Sequence, residues 1–227
     1  MPADESLDEL IRRVDPDRWL SSRFVVDPQA RADLMVIYAF DHELQRARHV
    51  ASNTLVAEIR LVWWREALDE IFGDHTLRET PLVRSLAEVI SRRSLPAEPF
   101  GGMISGRIDS LDHSLLTPDL ALSWSQEVAG GAAMLAALIL DPQSDRQAAR
   151  VAMVAWGLTR LYRAGLLADM DYAKLVLPAR RAASNAARQF KPAAFPAIAH
   201  AALARPTAMS PLRTRLRVLW SVATGRI

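Results

Sequence analysis

The 227-residue chain contains no cysteine, which excludes disulfides and thiolate metal sites and fits a reducing compartment. Lysine is nearly missing: Lys174 and Lys191 are the only two among 28 basic residues, a bias that genomic base composition alone can produce. Glycine is scarce as well, with nine in all and no P-loop, GxGxxG or GxSxG arrangement among them. No long apolar run exists. The longest uncharged stretch, Val128 to Leu140, falls short of the roughly 20 apolar residues a spanning helix needs. It predicts a buried core helix in a cytoplasmic protein, soluble or peripheral at the inner membrane. The opening "MPADESLDEL" is acidic and lacks the apolar core of a signal peptide.

What is present is an uneven charge. From Arg150 onward thirteen Arg and Lys face only two acids, Asp169 and Asp171. The preceding residues hold fifteen basic side chains against twenty-four acidic ones. The formal charge of +2 therefore conceals an acidic two-thirds and a basic third. Such a split predicts an anionic partner for the basic third, or an acidic face within the same protein. Nucleic acid is not expected, because no aromatic- or glycine-interleaved basic motif accompanies the charge.

Every clear periodicity is helical. Leu7, Leu10, Ile11 and Val14 recur at i, i+3, i+4, i+7 behind Ser6 as N-cap. Asp27-Pro28, Thr80-Pro81 and Thr117-Pro118 repeat a cap followed by proline at the first helical position. Leu34, Ile37, Tyr38, Leu44 and Ala47 form one apolar stripe. In the next helix, from about Asn53 to Phe72, the stripe is read as Leu55, Ile59, Val62, Trp63 and Leu68 inward, with Trp64 outward. Ser144 and Asp145 are expected to cap a helix through "QAARVAMVAWGLTRLYRAGLLA", and prolines 192, 196, 206 and 211 to divide the tail. The pattern predicts one all-α domain, residues 1–227, of about eight to ten helices.

The chemistry-bearing residues are diffuse. "YAFDHELQRARHV" sets Asp41, His42, Glu43, Arg46, Arg48 and His49 into an otherwise apolar helix. Asp41 and Glu43, two apart, diverge and cannot chelate together; His42 and His49 are two turns apart. Asp109/Asp112 and Asp169/Asp171 are carboxylate pairs that read as helix ends as readily as cation ligands. In the last helix Leu212, Leu216, Leu219 and Trp220 make an apolar row behind Ser210 as cap, with Arg213, Arg215 and Arg217 on its flanks. That row is either docked on the core or a surface for anionic lipid or an acidic partner.

"DRWLSSRF", "ADLMVIYAFDHELQRARHV" and "AEIRLVWWREALDEIFG" together resemble the squalene/phytoene synthase family. The likeness continues through "PLVRSLAEVISRRSLPAEPFGGMISGRIDSLD" and "WSQEVAGGAAMLAALIL" to "AWGLTRLYRAG" and "LVLP", from about residue 16 to 178. It implies an isoprenoid-synthase helical bundle around a central cavity, on a chain that is short at its C-terminal side. The family's enzymes join prenyl diphosphates such as farnesyl or geranylgeranyl diphosphate, using aspartates on two facing helices to hold Mg²⁺.

Residue by residue, those aspartates are missing. The first motif, counted from Tyr38, has Gln45, Arg46 and His49 where carboxylates belong. In the second, Arg160 takes the asparagine position, Arg163 matches the arginine, and Ala164 replaces the acid; Asp169 and Asp171 follow late. Arg46 and Arg160 are expected near a shared cavity, where they would repel Mg²⁺ and meet an anion directly. A non-catalytic branch, which includes a mitochondrial assembly factor for respiratory complex I, is more similar. The resemblance then implies a binding or assembly factor for a respiratory membrane complex, with no catalytic residue, metal or cofactor. Two alternatives stay open: a binder of a prenyl or lipid diphosphate, and a Mg²⁺-dependent transferase with a relocated acidic site.

Overall fold

Capping side chains set the helix boundaries. The computed structural model describes residues 6–50, 53–73 and 75–227, with only the backbone of 49 and 50. Ser6 and Glu9 close a reciprocal capping box on α1 (Leu7–Val14). Asp15 then caps α2 (Pro16–Ser22), a separate short helix set off by its proline. Asp27 accepts from the amide of Gln29 at the start of α3 (Pro28–Val50). Asn53 caps α4 (Thr54–Phe72), and Thr80 caps α5 (Pro81–Arg93). There follow α6 (Ala97–Ile108), then α7 (Pro118–Trp124) behind Thr117.

A π-helical stretch, Ser125–Ala129, leads directly into α8 (Gly130–Leu140), buried along all but its last residue as its uncharged sequence predicts. Asp145 caps α9 (Arg146–Arg163), which pairs with α10 (Asp169–Ala187); α10 runs on through Pro178. Two 3₁₀ turns, Phe195–Ala197 and Ala199–Leu203, precede α11 (Pro211–Thr224). Ser210 occupies the N-cap backbone position of α11, but its hydroxyl makes no capping bond. Among the described residues there are eleven α-helices and no strand, one more helix than expected because α1 and α2 break at Asp15-Pro16.

One core joins these elements, with α3, α6 and α9 gathered around α8. Gly157 lets α9 approach the π segment closely: a Cβ there would stand 2.8 Å from the Cβ of Ser125. The α3 stripe is buried as read, Leu34 through Ala47.

The phase of α4 is the reverse of the expected one. Ala57, Leu61, Trp64, Ala67 and Leu68 face the core, while Leu55, Ile59 and Val62 are exposed. Trp64 packs edge-on against Phe40 at 5.3 Å. Trp63 is half-buried and covered by the guanidinium of Arg78 at 4.7 Å. Apolar residues lie on two opposite faces of this helix, so at 100° per residue the periodicity does not choose between them.

Candidate functional site

Four helices send charged side chains to one point in the interior. Arg18 from α2 is the largest fully buried side chain, and its guanidinium lies 2.5 Å from Oδ2 of Asp41 on α3. The other carboxylate oxygen of Asp41 accepts from Arg107 of α6 at 2.6 Å. Arg160 of α9 donates to Asp15 at 2.9 Å and to Gln45 of α3 at 3.2 Å. Asp15 also lies 3.5 Å from Arg18, so two acids and three arginines form one connected network.

Aromatic faces complete the cage. Arg18 lies 5.2 Å from the Tyr38 ring and 4.9 Å from Trp156, while Arg160 lies 4.7 Å from the same tryptophan. Guanidinium over an aromatic face is favourable, most so when desolvated. His200 meets Trp156 edge-on at 4.9 Å, with both ring nitrogens buried and without a hydrogen-bond partner among the described residues. The Tyr38 hydroxyl is likewise buried and unpartnered.

The electrostatics follow from this geometry. Burial pushes the Asp41 carboxyl up, but Arg107 and Arg18 outweigh it and hold it well below the usual carboxylate range. Burial raises Asp15 too, and Arg160 with Arg18 again reverses the direction. Arg107 is drawn down by burial and by Arg18 and Arg160, against the opposing pull of Asp41. Burial, helped by Arg18 and Arg160, lowers His200 to about 3, so it is neutral at physiological pH.

Beside the network opens a cavity of about 220 Å³. Arg18, Asp41, Arg48, Arg107 and Arg160 line it together with Leu44, Leu61, Trp124, Val128 and Leu161. Arg48, half-buried, donates to the carbonyls of Ser110 (3.0 Å) and His113 (2.9 Å). The π segment contributes Val128 and Ala129, and such segments frequently occur at functional sites.

The motif positions divide. Gln45, Arg160 and Ala164 line the cavity, and Gln45 and Arg160 touch across it. Arg46 does not reach it: the side chain pairs with Glu43, one turn back, at 2.7 Å near the surface, about 100° around the helix from Gln45. Arg163 turns outward to the carbonyls of Arg205 and Thr207. Asp169 and Asp171 stand in the first turn of α10, off the cavity, where carboxylates favour a helix N-terminus. The side chain of His49 lies outside the described residues. Arg48 and Asp41 stood in the polar streak that sequence reading singled out, whereas Arg18, Arg107 and Asp15 are the residues it missed. Their one signal was placement, as in Arg107, which interrupts the apolar "FGGMISGRI".

A hard divalent cation takes several oxygen ligands. The cavity wall offers one carboxylate, with both oxygens already engaged by guanidinium groups. Among the described residues no three His, Cys, Asp or Glu side chains lie close enough to hold a metal. The residues present do not fit a magnesium pair.

On the surface, α11 holds the body by Val218 and Ser221 and turns its apolar row outward. Leu212 is 66% exposed, Leu216 55%, Leu219 50% and Trp220 49%. Arg213 and Arg215 are exposed on the two flanks of that row. Arg217 is instead tied to the Ala202 carbonyl at 2.6 Å and belongs to the fold. Among the described residues no helix is long and apolar enough to cross a membrane.

Two solved structures share the fold. A dehydrosqualene synthase in complex with ligand superposes with a TM-score of 0.75 at 15% identity, over 96% of this chain and 94% of that one. The squalene synthase HpnC from Alicyclobacillus acidocaldarius gives a TM-score of 0.60 at 18% identity, over 96% and 88%. Among characterised proteins, an assembly factor 6 homolog of NADH dehydrogenase (ubiquinone) complex I from Dictyostelium discoideum is 30% identical over 87 residues. That match takes in 38% of this chain and only 24% of the relative's length. The family model for squalene/phytoene synthase matches residues 11–189. With the model spanning most of the chain and an all-α fold shared with two synthases, this protein belongs to the squalene/phytoene synthase family.

Proposed function

We propose that this chain is a non-catalytic family member that assists a respiratory membrane complex, binding without chemistry and without magnesium. One observation carries the reading: Gln45 and Ala164 line the cavity at motif positions where diphosphate-bound metal would need carboxylates. Arg160 fills the second motif and contacts Gln45 of the first, while the one cavity carboxylate, Asp41, neutralises Arg18 and Arg107. Leaving-group stabilisation is usually the largest catalytic contribution, and here the groups that would supply it through a metal are absent. Asp109 is exposed at the end of α6, and Asp169 and Asp171 lie off the cavity, so a relocated acidic site gains no support. The similarity to the complex I assembly factor homolog supports the choice of partner class.

The reading places the protein at a membrane surface through α11. Its apolar row between Arg213 and Arg215 matches the form of an interfacial helix. Arg163, Arg180 and Arg217 donate to backbone carbonyls of residues 202–207, and among the described residues no carboxylate pairs with them. Positive charge therefore exceeds negative on this side, where Asp17 acts on Arg163, and the excess suits an anionic bilayer.

Two measurements test the proposal together. Purified protein given farnesyl or geranylgeranyl diphosphate and Mg²⁺ should release no diphosphate above background. Deleting the gene in its own organism should lower the amount of assembled NADH dehydrogenase on native gels, and the wild-type gene should restore it. Catalytic diphosphate release overturns the non-catalytic reading; unchanged complex levels overturn the assembly role.

A further inference from the structure

Three arginines meet at a second cavity, which shares no lining residue with the central one. It measures about 210 Å³ and is bounded by Arg180 of α10, Arg205 before α11 and Arg217 of α11. Ser184, whose hydroxyl donates to the Ile227 carbonyl at 3.0 Å, lines it with Ile227 and five alanines; no Asp or Glu does. Arg217 donates through Nε to the Ala202 carbonyl at 2.6 Å, and Arg180 through one terminal nitrogen to the Ala204 carbonyl. These bonds fix two guanidinium groups without supplying negative charge, and their other N–H groups have no acceptor among the described residues. Arg205 is exposed. Burial, then Arg205 and Arg180, push Arg217 down from its usual value, so both neighbours lie close enough to repel it. Like charges gathered in this way favour an anion, and guanidinium forks pair with phosphate oxygens at two points.

We infer that Arg180, Arg205 and Arg217 form a site for a phosphate group, supplied by the headgroup of an anionic phospholipid when α11 lies on a bilayer. The inference rests on the membrane reading of α11 and gives that surface a specific ligand. Position supports the lipid as source. A larger, open hollow of about 830 Å³ shares Arg205 and Arg217 with the cavity and is also lined by Leu216, Leu219 and Trp220. A headgroup held by the arginines therefore has the apolar row of α11 beside it for its chains. At about 210 Å³ the cavity is smaller than the ~300–1,000 Å³ of most ligand sites, which suits a headgroup and not a whole lipid. Diffuse attraction to a bilayer depends on charge alone and fades with salt. A built site depends in addition on which arginine is removed.

Calorimetry at low salt tests it with three soluble probes: dihexanoyl phosphatidylglycerol below its micellar concentration, dihexanoyl phosphatidylcholine and inorganic phosphate. Phosphatidylglycerol should bind about tenfold or more tightly than either of the others. Arg205→Gln should weaken it about tenfold with the melting temperature little changed. Arg181→Gln removes the same charge from an exposed position of α10 off the cavity, and should leave binding as it was. Vesicles separate the site from the membrane reading. Arg205→Gln should still prefer anionic to neutral vesicles, but bind them less tightly than Arg181→Gln does. No such preference in the parent protein would overturn the membrane reading, and with it the lipid as source. With the preference intact, equal losses in the two variants, full affinity in Arg205→Gln, or no binding of the soluble lipid would each overturn the site alone. Inorganic phosphate bound as tightly as phosphatidylglycerol would assign the site to free phosphate and overturn the lipid.

Discussion

The cavity wall and the outer face of α11 depart from the inside-out rule in opposite ways. In the first, two arginines and two aspartates are buried and a third arginine, Arg160, is half-buried; in the second, three leucines and a tryptophan are about half-exposed or more. Buried charge and exposed apolar surface are the informative exceptions in a soluble fold, because neither lowers the free energy of the isolated chain. The difference between them is coupling. Each charge of the Asp15–Arg18–Asp41–Arg107–Arg160 network is held by a partner on another element, so the wall is bound up with folding. The α11 row contacts little of the core, so altering it should leave folding intact and change only what the surface meets. One region is written into stability and the other into association.

The largest expected effect breaks that contrast at the wall. Asp41→Asn leaves Arg107 without a carboxylate partner and Arg18 with Asp15 at 3.5 Å, and removing one partner of a buried ion pair costs about 3–5 kcal/mol. Urea denaturation should show a loss of that order. Replacing the group together, Arg18→Met with Asp41→Leu and Arg107→Met, should recover much of it, since a packed apolar substitute is often neutral. If Asp41→Asn leaves the urea midpoint unmoved, the network is decorative and the contrast fails.

Next in size is α4, whose two faces make the same contrast within one helix. Trp64→Ala, at 8% exposure against Phe40, should cost about 3–5 kcal/mol. Trp63→Ala should cost clearly less, because its ring is covered chiefly by Arg78 at the surface. This is also where sequence reading inverted the answer. The fold class, the α3 stripe, the buried α8 and the caps at Ser6, Thr80 and Thr117 were legible because each rests on local chemistry. The phase of α4 depends on which face meets α3 and α6, a tertiary fact. The site was legible by half. The missing aspartates, with Gln45 and Ala164 in such places and Arg160 beside them, could be read from the resemblance to the family's motifs along the chain. Arg18, Arg107 and Asp15 come from segments tens of residues apart in sequence, and only the fold brings them together.

Acid should sharpen the contrast further. His200 has a pKa lowered from 6.5 to about 3 by burial and by Arg18 and Arg160, with Asp15 opposing. Below about 6.5 the unfolded chain takes up a proton that the folded one refuses, so stability falls as pH drops from 6.5 toward 3. The slope contributed is at most about 1.4 kcal/mol per pH unit. Asp41 acts at lower pH: its depressed pKa gives stability above the ordinary 3.8 that is lost as pH falls further. His200→Leu should flatten the urea midpoint between pH 6.5 and 4.5 and leave the steeper loss below it. An unchanged slope in that variant would show that His200 is protonated in the folded state.

The smallest effect on stability, and the most telling for function, belongs to α11. At 100° per residue Leu212, Leu216, Leu219 and Trp220 share one face, with Arg213 and Arg215 on either side of it. Lying flat on a bilayer, such a helix buries its row about 5–10 Å into the headgroup boundary and brings both arginines to the phosphates. Near an anionic surface each is worth about 1 kcal/mol, and the attraction fades within a Debye length as salt rises. Cosedimentation should therefore show binding to vesicles rich in anionic lipid, little to neutral ones, and release at high salt. Arg213→Gln with Arg215→Gln should weaken binding several-fold. Leu216→Ser with Leu219→Ser should weaken it at low salt as well, which charge attraction alone does not predict. Both pairs should stay within about 0.5 kcal/mol of the parent in urea, as exposed substitutions do. Arg217 is left in place, because its bond to Ala202 ties α11 to the body and its loss would confuse folding with docking. If neutral and anionic vesicles bind alike, or if the leucine pair unfolds the domain, α11 is part of the core after all and the outer face is not a membrane surface.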